Sequence, residues 1–319
     1  VSGKVALIII YNHHQHAGNI PALEKIYGGG FSHIYHLVPV MPGFAPLAHE
    51  VGSNVIPVHG RSYCFQGYIA QGLRHYFREE YTHYLFIHDD LLLNPGLNEE
   101  NFREYLELDE EDTAFLSDFY TLHQRLERIY TAEAYAFKGQ VAPLPPYEEA
   151  LEKFLAHGLA IRPVSLYWLL LAWGYYVHPA DSFSQKIALL LLWLKTVLRR
   201  LVCSLTWPAG KRRLAYPLVG GYSDIVVVPA GNIKDVCRYC EAFAALNLFV
   251  ATALPTAMVL SCKKINTHQT IRMQGRYRWP GKTWQSVRSQ YDDGMLSSLL
   301  GNFPDGCLYI HPVKLSQWK

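Results

Sequence analysis

The sequence predicts an α/β fold built on a mixed, mostly parallel sheet flanked by helices, and three observations carry that prediction. Strand-like and helix-like segments alternate over about the first ninety residues, the pattern of a layered α/β chain. The strand-like runs are short and almost continuously apolar, as strands covered on both faces are. The composition is that of a core-rich chain: 319 residues, 50% hydrophobic, only 18% charged and a formal net charge of +2. That balance excludes a disordered tail protein and gives no global field favouring a nucleic-acid partner. Tyr (22) and His (15) are abundant for so little charge, which suits a cleft built from aromatic faces and neutral hydrogen-bonding groups.

The elements follow in order. Val5 to Tyr11 is a strand, and Ile20 to Tyr27 a helix stopped by Gly28-Gly29-Gly30. Phe31 to Val40 and Ser53 to His59 are the second and third strands, Tyr68 to Phe77 a helix, and Thr82 to His88 a fourth strand ending in His88-Asp89-Asp90. The acid-rich stretch from Asn98 to Leu126 reads as loop plus helix. Pro143, Pro145 and Pro146 break the chain before a helix at Glu148 to His157. Asp181 to Val202 is helical, with Lys195, Arg199 and Arg200 grouped at its end, where cations complement the dipole. It reads first as a buried helix with a basic end. An apolar face with a cationic rim over 187–202 is also what peripheral contact with a membrane surface requires. Tyr222 to Val228 is a late strand, Ile233 to Leu246 a helix, Leu248 to Leu260 an apolar stretch interrupted by Pro255, and Cys307 to His311 a closing strand.

In parallel α/β sheets ligands gather at the carboxyl ends of the strands, where Tyr11-Asn12 and Asp89-Asp90 fall. Two adjacent carboxylates there suit a hard divalent cation, which can neutralise charge on a leaving group. The alternative is a solvated acidic pair. The six Cys are dispersed, and Cys237-x-x-Cys240 without further ligands at zinc spacing reads as helix packing. Arg272, Arg276, Arg278, Trp279, Lys282 and Trp284 form a cationic, aromatic segment fit to clamp a diphosphate or another polyanion.

With these residues in view, the sequence resembles the nucleotide-sugar-dependent glycosyltransferases of GT-A fold. His88-Asp89-Asp90 stands where that class carries its acidic Asp-x-Asp or x-Asp-Asp motif after the fourth core strand. The resemblance implies a GT-A-like, Rossmann-type sheet with a helical insertion. It implies that Asp90 contacts a Mn²⁺ or Mg²⁺ ion, that Asp89 helps hold metal or ribose, and that His311 in Ile310-His311-Pro312 completes the metal site near the C-terminus. Tyr11, Asn12, Gly60 and Arg61 would grip base, ribose and phosphate. Gly220-Gly221-Tyr222-Ser223-Asp224 resembles the glycine-rich loop that shapes the acceptor side.

One departure stands out. Inverting members carry an x-Glu-Asp base at the start of a following helix, whereas Leu248 to Ala253 contains no carboxylate. Asp224 and Glu241 are the available substitutes for a base. The expectation is a metal-dependent glycosyltransferase taking a UDP- or GDP-sugar to a hydroxyl of a glycan or other acceptor. A single domain is expected, with a nucleotide-sugar part over 1–97, a largely helical insertion over 98–217 and an acceptor side with the metal-site strand over 218–319. A non-catalytic carbohydrate- or nucleotide-binding domain is the alternative. A phosphoryl- or nucleotidyl-transferring enzyme would want a Walker loop or a second set of carboxylates, and neither is evident. No secretory leader, no disulfide spacing and no Asn-x-Ser/Thr acceptor point to a cytoplasmic setting, and no apolar run reaches the roughly 20 residues of a bilayer span.

Overall fold

In the computed structural model, residues 4–40, 54–60, 63–122, 137, 141–159, 216–277 and 294–318 are described. The strongly apolar run after Lys4 forms β1 (Lys4–Ile10), and its alternate side chains enter two different cores. Val5, Leu7 and Ile9 face α1 (Ile20–Tyr27), while Ala6, Ile8 and Ile10 face α2 (Phe65–Tyr76). This is why β1 reads as continuously apolar rather than alternating.

Parallel neighbours surround it: β2 (Ile34–Pro39) and β3 (Val55–Val58) on one side, β4 (Tyr81–His88) on the other. Then come β7 (Val219–Pro229), β6 (Thr113–Thr121) and β8 (Lys264–Asn266), in the order β3-β2-β1-β4-β7-β6-β8. Only β7 runs against the others. The result is the expected mixed, mostly parallel sheet with helices on both faces. A second sheet, β5 (Leu92–Leu93), β10 (Cys307–His311) and β9 (Gln274–Tyr277), lies over the face that carries α1.

Two local readings are corrected. The acid-rich stretch expected as loop plus helix contains β6, whose Thr113 to Ser117 are buried between β7 and β8; the acids occupy its flanks and masked the strand. The stretch around Pro255 is one helix. After α3 (Phe102–Tyr105), α4 (Tyr147–Ala156) and α5 (Ile233–Ala245), α6 (Val250–Ser261) runs straight through the proline. An interior Pro costs a helix about 3 kcal/mol, which the burial of every residue from Val250 to Leu260 offsets. A short α7 (Leu296–Gly301) completes the described helices. Among them none is long and apolar enough to cross a membrane, and the expected 187–202 helix lies outside the described residues.

Polar groups inside this core are paired or held neutral. Tyr11 Oη lies 2.9 Å from His36 Nδ1, His36 Nε2 lies 2.8 Å from Glu24, and Asn54 donates to the same carboxylate. Burial keeps the His36 pKa low despite Glu24, so the imidazole is neutral, and its Nδ1 accepts a hydrogen bond from the Tyr11 hydroxyl. His83 on β4 is fully buried, edge-on to Phe102, and burial together with the Arg103 charge pulls its pKa from 6.5 to about 4. Below its ordinary value the unfolded chain takes up a proton that the folded chain refuses, so stability is full above 6.5 and falls as the pH drops towards 4. His83→Leu should therefore lose about 2 kcal/mol less than the wild type between about pH 7.5 and about pH 5 in urea unfolding. Equal acid sensitivity in the two proteins would refute this.

Candidate metal centre and cleft

The carboxyl ends of β1 and β4 open on a cleft of about 700 Å³. Ile10 sits opposite His88, and the Asp89 amide donates to Ile10 O at 3.0 Å, so the diacid lies beside the end of β1. Antiparallel β7 pairs Ile87 with Ile225, which brings Asp224 next to His88. The Val313 amide donates to Asp90 O at 2.6 Å and ties the end of β10 to the same place, delivering His311. Three remote chain segments thus converge.

The two neighbouring carboxylates do not act together. The chain turns directly after His88, with the Leu91 amide donating to His88 O at 3.1 Å, and in that turn Asp89 reaches His16 while Asp90 reaches His311. His88 Nδ1 is 3.1 Å from Asp224 Oδ1, His311 Nε2 is 3.1 Å from Asp90 Oδ1, and His311 Nδ1 is 3.5 Å from Asp224 Oδ2. Ligand atoms of His88, Asp224 and His311 all lie within 4.8 Å of one another. Bonds of about 2.0–2.2 Å to one ion place neighbouring donors roughly 3 to 4.4 Å apart, so the cluster has the size of a cation site. His88 Nε2 is buried without a partner among the described residues, and the Phe65 ring stands edge-on at 4.0 Å. Tyr222 Oη, 2.6 Å from His311 Nδ1, fixes that ring, and Tyr222 is itself stacked on Tyr309.

The electrostatics follow the geometry. Burial opposes the charge on Asp90, but the hydrogen bond and charge of His311 and the charge of His88 outweigh it and hold its pKa below the ordinary value. Burial likewise opposes the charge on His311, and the carboxylates of Asp90 and Asp224 overcome it and raise its pKa. For His88 burial prevails and the pKa falls. Asp89 is pushed up to about 7 by burial and by the Asp90 charge, while the Asn12 amide and the Asn19 side chain pull the other way. A third partner is His16 Nδ1 at 3.0 Å. Asp89 therefore pins the loop that follows β1.

Of the residues singled out from the sequence, Asn12, Asp89, Asp90, Asp224 and His311 line the cleft. Tyr11 does not: its ring is fully buried and its hydroxyl engages His36. Asn12 has another task, since its Oδ1 accepts the Tyr63 amide at 2.8 Å. That bond holds Tyr63 in the left-handed region, φ 62°, which a bulky residue rarely adopts. The Tyr63 ring stands 53% exposed at the cleft rim, tilted against Phe65 and Phe249. Gly60 is exposed and outside the lining, Glu241 is exposed on α5 and also outside it, and Arg61 lies outside the described residues. Of the cationic segment, Arg272 is exposed with Nε 3.8 Å from Glu107, and Arg278, Trp279, Lys282 and Trp284 lie outside the described residues. His88, Tyr63 and His16 were missed as site residues. The signal that could have found His88 is its place as the last residue of the strand that delivers the diacid.

No family model matches the chain, and no curated protein matches it. Among solved structures, that of the mannosyltransferase Ktr4p from S. cerevisiae is similar over 84% of this chain and 69% of its own, with a TM-score of 0.34 and 10% sequence identity.

Proposed function

We propose that this chain is a metal-dependent glycosyltransferase that moves a sugar from a nucleotide-diphosphate sugar to a hydroxyl group of an acceptor. One observation carries the reading: two imidazoles and two carboxylates, His88, His311, Asp90 and Asp224, converge from three chain segments at the carboxyl end of the parallel sheet, inside a cleft of about 700 Å³. His88, Asp224 and His311 would hold the cation, with Asp90 hydrogen-bonded to His311 beside them. Mixed imidazole and carboxylate donors suit Mn²⁺ better than Mg²⁺, which prefers oxygen alone. A bound divalent ion supplies charge neutralisation for a departing diphosphate.

The chain's own residues do the rest. Asp89 fixes the loop after β1 through Asn12, His16 and Asn19, and Asn12 in turn holds Tyr63 so that its ring is offered at the rim. An exposed aromatic face there suits stacking on a nucleobase or on the apolar face of a sugar. Tyr222 orients His311, and the Phe65 edge limits the space around His88.

The test is a thermal-shift series with Mn²⁺ or Mg²⁺ and a panel of UDP- and GDP-sugars. Mn²⁺ should raise the melting temperature, and a cognate donor should raise it further only when the metal is present. Sugar binding that ignores chelator, without donor turnover, would favour a non-catalytic binding domain. No response to any metal would overturn the reading.

A further inference from the structure

His311 meets two carboxylates with two different nitrogens. Its Nε2 lies 3.1 Å from Asp90 Oδ1, and its Nδ1 lies 3.5 Å from Asp224 Oδ2. One ion cannot bind both, because the two ring nitrogens are distinct and face different ways. The partners decide which nitrogen faces the centre. Asp224 reaches His88 Nδ1 with its other oxygen, at 3.1 Å, so it stands on the Nδ1 side of the His311 ring and brings His88 with it. Among the described residues only His88, Asp224 and His311 offer donor atoms that all lie within 4.8 Å of one another. Asp90 is outside that set.

Asp90 is nevertheless fixed against His311. The Val313 amide, two residues past His311, donates to Asp90 O at 2.6 Å, so the backbone holds the two side chains together. On the other side of the ring, Tyr222 Oη lies 2.6 Å from Nδ1. Tyr222 is stacked on Tyr309, whose hydroxyl lies 3.1 Å from Ser117 Oγ and 3.0 Å from His268 Nε2. A neutral imidazole that binds a metal through one nitrogen carries its proton on the other, and giving that proton to a carboxylate fixes the ring and raises its basicity. We infer that Asp90 is a positioning residue, which accepts the Nε2 proton of His311 and so presents Nδ1 to the cation alongside His88 and Asp224. Tyr222 lends the ring a second hold at Nδ1, which the ion takes over. The inference rests on the metal reading above, and it differs from the direct contact of Asp90 with the ion that the diacid motif implies.

The experiment uses the whole chain. Mn²⁺ affinity is measured by calorimetry. The His311 ring is read in the Zn²⁺-loaded protein by long-range proton–nitrogen NMR correlation, its signals being those lost in His311→Gln. They should show a metal-bound Nδ1 and a protonated Nε2. Asp90→Ala should weaken Mn²⁺ binding about 10- to 100-fold, the usual effect of removing such an outer partner. Asp90→Asn keeps an oxygen to accept the Nε2 proton and should restore most of the affinity, whereas Asp224→Ala should abolish binding. The ring signals and Asp90→Asn decide the matter even if Asp90→Ala fails to fold. A metal-bound Nε2, or a loss in Asp90→Asn as complete as in Asp224→Ala, would overturn the inference and leave the metal reading standing. A wild type that binds neither ion would overturn both.

Discussion

Asp224→Ala is expected to lower sugar transfer on the order of 10³-fold and to abolish the rise in melting temperature produced by Mn²⁺. Asp224 is the residue that joins the two halves of the cluster, lying 3.1 Å from His88 and 3.5 Å from His311. Without it the two imidazoles lose their common partner, and His311 is left with Asp90 alone on the carboxylate side. Glu241→Ala is the matched control, since both acids were candidates for a base but Glu241 is exposed on α5 and does not line the cleft. It should transfer at the wild-type rate. Turnover of a labelled donor measures transfer, and circular dichroism verifies that both variants fold. Unchanged turnover in Asp224→Ala would remove the cluster from the reaction.

The contrast between Asp224 and Glu241 shows what sequence alone could reach. Apolar runs bounded by breakers gave β1, β4 and β10 nearly to the residue, because strands buried on both faces leave a continuous signal. The diacid motif pointed to a strand end that opens on the cleft. What it could not supply was direction. Asp89 and Asp90 are neighbours in sequence and point apart in space, one to His16 and one to His311. Tyr11 and Asn12 show the same limit: the ring faces the core and His36, while the amide reaches across to the Tyr63 backbone, a contact between residues 51 positions apart. β6 was hidden for a different reason, since its acidic flanks and its short buried centre resemble a loop until β7 and β8 close around it. Glu241 was a plausible base only while its distance from the cleft was unknown.

Gly221→Ala is expected to cost about 3 kcal/mol or more, the upper range for overpacking, because neither neighbour of the new methyl group can yield. One is the Asp118 carbonyl oxygen, and the other is the ring of Pro255. The first belongs to β6, paired to β7 through Asp118 and Tyr222, with Asp118 Oδ1 also accepting the Tyr222 amide at 2.8 Å. The second sits in the middle of a helix buried on all sides. Relief requires β7 to move away from one of them, and β7 carries Tyr222, Ser223 and Asp224 just beyond. A protein that does fold should therefore bind Mn²⁺ more weakly as well, since a displaced Asp224 no longer spans His88 and His311. Gly231→Ala is the control: a methyl there meets nothing within 4 Å, and its melting temperature should stay at the wild-type value. If Gly221→Ala melts with Gly231→Ala and binds Mn²⁺ equally well, the close approach of β7 to β6 and α6 does not hold the cluster in place. If it loses both stability and metal, the two glycines of the Gly220-Gly221 pair are explained by packing, and the shape they give the cleft follows from how tightly β7 must fit between its neighbours.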